Sequence, residues 1–456
     1  MNNDDRHIIY FIGIGGIGMS ALARYCLGKG FTVCGYDKTA SPLTRKLEKE
    51  GMKIHYTDSP ELVPEKPEMV VYTPAVPADL EEMKLVKEKG FRLMKRAEML
   101  GMISMLHKTI AIAGTHGKTS TTALVAHILK SSRRRMSAFI GGISKNIGSN
   151  VVIGGEDDEF VVTEADEFDR SFLRLSPFVS VITSVDADHL DIYGNKENLI
   201  EGFNEFVAKT DKKGLVVMHE GLPLKHTENT VTYGFDSADV NACDIRIENG
   251  MTHFNVAFSN EEREDFAMRL FGDHNVLNAT AAIIISRFIG LKIKDIREAL
   301  STFEGVARRF DIQFQDEKSC YIDDYAHHPS EIKASLDTAR KIFPEREMTV
   351  VFQPHLFTRT RDFMDDFANV LSLADNVILL DIYPAREKPI EGITSQRLLE
   401  KINCTKKQVC TKEKLVETIA ALKPALLLTM GAGDIDRFVP EITKIFNEIS
   451  TEDDRK

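Results

Sequence analysis

Gly114-Thr115-His116-Gly117-Lys118-Thr119-Ser120 follows an apolar run, Thr109–Ala113, and opens a stretch whose apolar residues recur four apart, Leu124/Ile128 and Val125/Leu129. Glycines and small side chains let backbone N–H groups turn towards phosphate oxygens, a helix N-terminus adds partial positive charge, and Lys118 adds a full one. The chemistry this suits is binding a nucleotide triphosphate, with the Thr119 hydroxyl offered to Mg²⁺. The spacing departs from the standard G-x-x-x-x-G-K-[ST] pattern, because Ile112 stands four before His116. The same residues fit an ordinary glycine turn capping a helix, but the order strand, loop, helix favours phosphate. Lys118 is expected on a ligand-facing loop, so its removal should leave folding intact.

Two acidic segments fit the same chemistry: Glu164-Ala-Asp-Glu-Phe-Asp after the strand pattern 160–163, and Asp186-Ala-Asp-His189-Leu-Asp after 179–185. Loops leaving neighbouring strand C-termini of a parallel sheet meet in one crevice, where carboxylate and imidazole could share a metal. Upstream, Gly13-Ile-Gly15-Gly16-Ile-Gly18 with Asp37 at the end of the next strand matches the dinucleotide fingerprint. A pyrophosphate is what such a turn binds, and a UDP-sugar carries one as surely as NAD does. Gly15 is expected where the diphosphate approaches the backbone, so that valine there should block it.

These loops need strands and helices to carry them. Ile8–Ile12 is a short apolar run, Ile17, Ala21 and Tyr25 then follow at helical spacing, and Phe31–Tyr36 and Met69–Tyr72 read as further strands. A second strand, glycine loop and helix begin at Lys108. Strands 160–163, 179–183 and 215–218 continue that unit, alternation over 240–272 suggests an antiparallel sheet, and a helix through 276–289 closes it. Near Arg308-Arg309-Phe310 the pattern restarts, with strands at 319–322, 349–352, 376–380 and 425–430. The expectation is three α/β domains, 1–107, 108–308 and 309–456, in line with a chain of 456 residues that exceeds one hydrophobic core.

The bulk figures exclude some functions. A formal charge of −11 argues against a surface built to neutralise nucleic-acid phosphates. No basic segment precedes an apolar stretch at the N-terminus and no run of 18 apolar residues occurs, so neither export nor a membrane span is expected. Six cysteines without C-x-x-C spacing fit a reducing cytoplasm rather than disulfides or zinc.

Taken together, the motifs resemble the Mur ligases. The blocks GIGGIGMS (13–20), AGTHGKTSTTA (113–123), EADEFDRSFL (164–173), DADHLDIYG (186–194), GDHNVLNATAA (272–282), RRFD (308–311), DDYAHHPSE (323–331), QPHLFTRTRDF (353–363), DIYPAREKPIEG (381–392) and MGAGD (430–434) follow in the family's order over essentially the whole chain. The resemblance implies an N-terminal Rossmann-like UDP-binding domain, a central P-loop ATPase domain and a C-terminal Rossmann-like α/β domain. Carried over by position, Lys118 would bind ATP phosphates within Gly114–Ser120, with Thr119, Glu164 and His189 serving Mg²⁺ and Asn275 and Asn278 near the adenine. Arg309 would reach the phosphates and Asp324 would help fix the nucleotide. Gly15, Gly16, Gly18, Met19, Ser20 and Asp37 would hold the UDP-linked substrate, and His327, His328, His355 and Arg359 would face its carboxylate or the incoming amino acid. Two departures stand out. Leu356 occupies a position where many members carry arginine, and Asn204 stands 15 residues after His189, where other members place a carbamylated lysine.

The absence of that lysine points, by resemblance, to the alanine-adding branch: UDP-N-acetylmuramate, L-alanine and ATP giving UDP-N-acetylmuramoyl-L-alanine, ADP and phosphate. One histidine of the pair His327 and His328, with His328 preferred, is the expected base for the amine. A sister ligase that recycles a peptide onto UDP-N-acetylmuramate is the nearest alternative. An NAD-dependent dehydrogenase built on Gly13–Gly18 would leave Lys118, Glu164 and His189 without a role, and a nucleotide-switched binding module would not need the substrate blocks.

Overall fold

The structure, a computed structural model, describes residues 7–77, 79–155, 157–186, 193–259, 262–385 and 387–453. The chain forms two compact units, one of residues 1–269 with 275–304, the other of residues 270–274 with 305–456.

The first unit holds two sheets. β1 (Ile8–Ile12), β2 (Thr32–Tyr36), β3 (Lys53–His55), β4 (Met69–Tyr72) and β5 (Leu93–Lys95) are all parallel in the order β3-β2-β1-β4-β5. This order reverses beside β1, so a crevice opens beyond its C-terminal end, where the glycine turn begins. β1 carries an uninterrupted apolar run because both its faces are covered: Phe11 lies in one core cluster, Tyr10 and Ile12 in another.

The second sheet has ten strands: β6 (Lys108–Ala113), β7 (Met136–Ser144), β8 (Ser149–Val152), β9 (Phe160–Ala165), β10 (Pro177–Ile182), β11 (Leu215–His219), β12 (Thr230–Gly234), β13 (Val240–Glu248), β14 (Met251–Phe258) and β15 (Arg263–Met268). Their order is β15-β14-β13-β12-β11-β10-β6-β9-β7-β8, so the strand leading into the phosphate loop lies between β9 and β10. The antiparallel stretch expected over 240–272 is β13 to β15, joined to the parallel strands through β12 rather than standing as a separate sheet. One apolar cluster runs from Phe11 and Val33 of the first sheet and Leu22 of the helix after β1 to Ala111 of the second sheet and to Phe172, Phe203 and Phe206 of the helical segments that follow β9 and β10. That shared core explains why two sequence patterns fold as one compact unit.

The second unit contains β16 (Asp311–Gln315), β17 (Cys320–Asp324), β18 (Met348–Phe352), β19 (Asn376–Leu379), β20 (Lys406–Val409) and β21 (Leu426–Met430), in the order β16-β17-β21-β18-β19-β20 with only β16 antiparallel. Alternate residues of its central strands enter opposite cores, Val350 and Leu428 on one side, Val351 and Leu427 on the other. The motif loops after β17, β18, β19 and β21 leave the C-terminal ends of parallel strands, the end where open α/β sheets bind ligands.

Candidate active site

β6 delivers the phosphate loop. Gly114 and Gly117 have φ of +131° and +81°, and a β-carbon would lie 2.1 Å from Thr183 Oγ1 at the first and 2.7 Å from Asn278 Oδ1 at the second. Only glycine meets both demands. The loop is held to the end of β10: His116 N donates to Ser184 Oγ at 2.8 Å, Thr115 N to Ser184 O at 3.2 Å, and Asp186 N to Thr115 Oγ1 at 2.8 Å. His116 Nε2 lies 3.0 Å from Asp186 Oδ2. Lys118 starts the helix Lys118–Ser131 and its ammonium donates to Gly114 O at 2.6 Å and to both oxygens of Glu167, at 2.9 and 2.8 Å. Burial alone would lower the Lys118 pKa, but Glu167, with Asp166 and Glu164, holds it above the ordinary value.

Glu164 is not in a loop after its strand, as the pattern suggested, but inside β9, because its backbone pairs with Ile112 of β6. Its Oε1 accepts from Gly141 N at 2.6 Å. The chain then turns through Asp169 and Arg170, both left-handed with φ of 55° and 52°. Tyr193 Oη donates to Glu167 O at 2.8 Å, fixing the backbone of the residue that meets Lys118. Asp166 faces Arg96, with Oδ2 3.6 Å from Nη2.

At the first sheet, Gly13 turns with φ of +86° and Gly15 N donates to Asp37 Oδ2 at 2.7 Å. A β-carbon on Gly15 would lie 2.6 Å from Thr44 Cγ2 and 2.7 Å from Asp37 Oδ2. The expectation that Gly15 is kept small for the ligand is therefore revised, since the protein's own packing already requires it. Gly16 is the open position, its nearest contacts to an added β-carbon being 3.6 Å or more away. Met19 and Ser20 are buried in the following helix, and Ser20 Oγ accepts from Asn150 Nδ2 at 3.0 Å, so both serve packing of the turn.

In the second unit, Arg308 and Arg309 both stack on Tyr325, 5.1 and 4.9 Å from its ring centre. Arg308 donates to Gly431 O at 2.6 Å and to Asp323 Oδ2 at 3.3 Å. Asp324 is buried, accepts from Ala326 N at 3.3 Å and from the Ser335 hydroxyl, and burial raises its pKa. His327 Nδ1 lies 3.0 Å from Tyr325 O, and burial lowers its pKa to about 4 against the pull of Glu331. His328 caps the helix Pro329–Ile342, its Nδ1 2.7 Å from Ser330 Oγ. His355 stacks on Tyr383 and lies edge-on to His327, with ring centres 6.2 Å apart.

Comparison with known proteins decides what this chain belongs to. Residues 8–108 match the Mur ligase family catalytic domain, residues 112–286 the Mur ligase middle domain, and residues 308–433 the Mur ligase glutamate ligase domain. The chain belongs to the Mur ligase family. It is 46% identical over 453 residues to the UDP-N-acetylmuramate–L-alanine ligase of Cytophaga hutchinsonii, covering 97% of each chain. It is 47% identical over 449 residues to that of Christiangramia forsetii, covering 97% of this chain and 98% of the other. The crystal structure of UDP-N-acetylmuramate-alanine ligase MurC from Thermotoga maritima superposes with a TM-score of 0.85 at 30% identity, covering 96% of this chain and 99% of that one.

Within this Mur ligase, the structure brings together Gly114–Ser120, Glu164 and, at the start of the loop helix, Asn278, which accepts from Thr121 Oγ1 at 3.1 Å and donates to Asn275 Oδ1 at 3.3 Å. His189 lies outside the described residues. Asn204, in place of the lysine of other members, uses its side-chain oxygen to accept from Lys225 N at 2.9 Å. Leu356 adopts φ 69° and ψ 136°, a backbone state disfavoured for any residue but glycine and not foreshadowed by a leucine at this position. Two residues were not singled out from the sequence. Glu167 was visible only as one acid among several, and nothing marked it as the partner of Lys118 at a separation of 49 residues. Arg96 stands in no recognised block. Among the described residues no group of three potential ligands is arranged to hold a metal, and no helix is long and apolar enough to cross a membrane.

Proposed function

We propose that this Mur ligase joins L-alanine to the carboxylate of UDP-N-acetylmuramate with consumption of ATP, in peptidoglycan precursor synthesis. The observation that carries the nucleotide half is the Lys118 ammonium, placed in a loop of two obligatory glycines at a helix start between β9 and β10. The near-full-length identity of 46–47% to ligases named for alanine supports the amino acid.

A carboxylate does not accept an amine unaided, because its oxygen is a poor leaving group. The γ-phosphoryl group is first transferred to a carboxylate oxygen, giving an acyl phosphate and ADP. The alanine nitrogen then attacks the acyl carbon, the C–N bond forms, the C–O bond to phosphate breaks, and the amine proton passes to a base. Charge neutralisation and positioning dominate the first step, and Lys118 and Arg309 are the cations proposed for it. For the proton, the pair His327 and His328 is proposed; the lowered His327 pKa keeps that ring neutral, and so able to accept, at physiological pH. Mg²⁺, when bound, supplies further neutralisation of phosphate charge. Thr119, in the first turn of the helix that follows β6, and Glu164, near the end of the adjacent β9, fit it as hard oxygen donors, with His189 as the third proposed ligand.

Asn275, Asn278 and Asp324 are proposed to contact the nucleotide, Gly15, Gly16, Gly18, Met19, Ser20 and Asp37 to form the UDP-substrate turn, and His355 and Arg359 to serve the carboxylate or the amino acid. The domain limits 1–107, 108–308 and 309–456 are retained as part of this reading, supported by one sheet in each. A cytoplasmic location is proposed from the six cysteines, all unpaired. ADP release measured with UDP-N-acetylmuramate and each amino acid in turn tests the assignment. Alanine alone should support turnover, and a preference for a peptide would identify a recycling ligase instead.

A further inference from the structure

Arg96 is the first residue of the helix Arg96–Met105, at the positive end of that helix, where acidic residues are favoured and a cation is not. Its own helix therefore gives no reason for its charge. Its side chain rests on the glycine turn: a β-carbon on Gly18 would lie 3.0 Å from Arg96 Nη1, 3.2 Å from Cδ and 3.5 Å from Cζ. The helix that begins there, Ile17–Gly28, has Gly16 at its N-cap, no side-chain cap and no acidic residue in its first turn. Unsatisfied N–H groups and a guanidinium thus converge on one place. The nearby Asp37 does not supply the missing anion, because its two oxygens accept from Gly15 N at 2.7 Å and Thr39 N at 3.0 Å.

The carboxylate that does face Arg96 is Asp166, and it is held loosely. The separation from Nη2 is 3.6 Å, beyond hydrogen-bond length, and among the described residues no hydrogen bond engages the guanidinium, which is a quarter exposed. Asp166 is itself committed elsewhere, accepting from Phe168 N at 3.1 Å through its other oxygen and, through its backbone oxygen, from Ser171 Oγ at 2.9 Å. It adjoins Glu167, the partner of Lys118, and is two residues from Glu164. Arg96 therefore stands with one face on the turn of the first sheet and the other towards the acidic loop of the second.

We infer that Arg96 is a ligand of the diphosphate of the UDP-linked substrate and, through Asp166, a positioning residue that ties occupancy of that substrate to the Glu167 loop that follows Glu164 of β9. A guanidinium gives a diphosphate two parallel N–H donors that carry a full positive charge, where the N–H groups of the backbone turn offer only partial charge. The diphosphate draws Arg96 from a weak ion pair into charge-assisted hydrogen bonds, and Asp166 loses its counter-charge. The inference rests on the first sheet binding the UDP-linked substrate.

Calorimetric titration of the full-length protein with UDP, alongside saturation-transfer NMR with uridine as the phosphate-free probe, tests it. In Arg96→Ala the UDP dissociation constant should rise about tenfold to a hundredfold, the range for loss of hydrogen bonds to a charged group, with uridine binding unchanged. Arg96→Lys should fall between, keeping the charge but not the paired donors. Asp166→Asn should tighten UDP, because the competing carboxylate is gone. Should Arg96→Ala fold poorly by thermal melting, Arg96→Gln provides the same test, since it keeps most of the side-chain length but not the charge or the paired donors. Wild-type UDP affinity in the folded Arg96→Ala or Arg96→Gln variant overturns the ligand role. Unchanged UDP affinity in Asp166→Asn overturns the link to the acidic loop. Failure of the wild-type protein to bind UDP or UDP-N-acetylmuramate at all overturns the substrate reading itself and is distinct from both.

Discussion

The Glu167 carboxylate grips the Lys118 ammonium with both oxygens, at 2.9 and 2.8 Å, and is itself only 2% exposed. A phosphate-binding lysine in this position is a partly buried cation, and its counter-ion is a buried protein carboxylate until phosphate arrives. This revises the expectation that Lys118 can be removed at no cost to folding. Lys118→Ala would leave Glu167 charged and buried without a partner, a loss of about 3 kcal/mol.

Glu167→Gln separates the two roles of Lys118. The amide keeps the shape but ends the charge competition, so ADP should bind roughly tenfold more tightly by calorimetry, a gain of about 1.4 kcal/mol. The nucleotide-free variant should be about 2 kcal/mol less stable, because Lys118 then sits beside no full counter-charge. The melting-temperature rise caused by ADP should accordingly exceed that of the wild type. Weaker ADP binding in Glu167→Gln would show that Glu167 orients Lys118 for phosphate rather than competing for it.

What the sequence made legible follows from what burial does to residue choice. β1, β6 and β18 were readable because strands covered on both faces need continuous apolar runs, and Ile8–Ile12, Thr109–Ala113 and Thr349–Phe352 supply them. β3 (KIH) and β20 (KKQV) were not, since they are short edge strands whose lysines face solvent and whose pairing is set by the neighbour. The phosphate loop was legible as local chemistry, whereas the Lys118 to Glu167 pair and the Arg96 to Gly18 contact depend on how β9 and β5 are placed beside it, which no spacing encodes. The same holds for the core joining the first two sheets, where Phe172 and Phe206 stack 5.2 Å apart across elements that periodicity treats separately.

Gly15 and Gly16 of the first turn should behave differently. Gly15→Val drives a branched side chain into Thr44 and Asp37, so the urea midpoint should fall by an amount equivalent to about 3 kcal/mol. Gly16→Ala meets no atom closer than 3.6 Å and, as an N-cap change, should cost about 0.5–1 kcal/mol, while raising the KM for UDP-N-acetylmuramate and leaving that for ATP unchanged. If Gly16→Ala left both KM values at the wild-type level, the turn would not be where the diphosphate lies.

Acid should weaken the second unit in a defined window. Burial lowers His274 and His327 to about 4, against Asp273 for the first and chiefly Glu331 for the second. Unfolded, both titrate near 6.5, so the unfolded chain binds more protons between 4 and 6.5 and stability is lost as pH falls through that range. Asp323 works in the opposite sense: burial, opposed by Arg308, raises it to about 6, and its contribution declines as pH rises from 3.8 to 6. Two histidines outweigh one aspartate, so the urea midpoint should drop from pH 7 to pH 5. His327→Asn should flatten that drop, and a slope identical to the wild type would mean that His327 is not held neutral in the folded state.

Leu356 provides the last test, because its backbone and its side chain make separate demands. At φ 69° and ψ 136° a β-carbon is strained, yet the position is fixed from both sides: Leu356 N donates to Tyr383 O at 3.0 Å and Leu356 O accepts from Thr360 N at 3.1 Å and from the Thr360 hydroxyl at 2.7 Å. The surrounding chain therefore imposes the geometry, and the residue bears a cost of about 1–3 kcal/mol. Leu356→Gly relieves that strain but frees the unfolded chain and removes a half-buried side chain, which together return about 1 kcal/mol or more. The net expectation is a stability unchanged or higher by about 1 kcal/mol in urea unfolding, where an ordinary half-buried leucine replaced by glycine would lose that much or more. Leu356→Arg, restoring the residue many family members carry, keeps the strain and should leave stability near the wild type while lowering the KM for the carboxylate substrate if this position contacts it. A clear loss of stability in Leu356→Gly would show that side-chain packing, not the imposed backbone, governs this turn between His355 and the helix Phe357–Asp362.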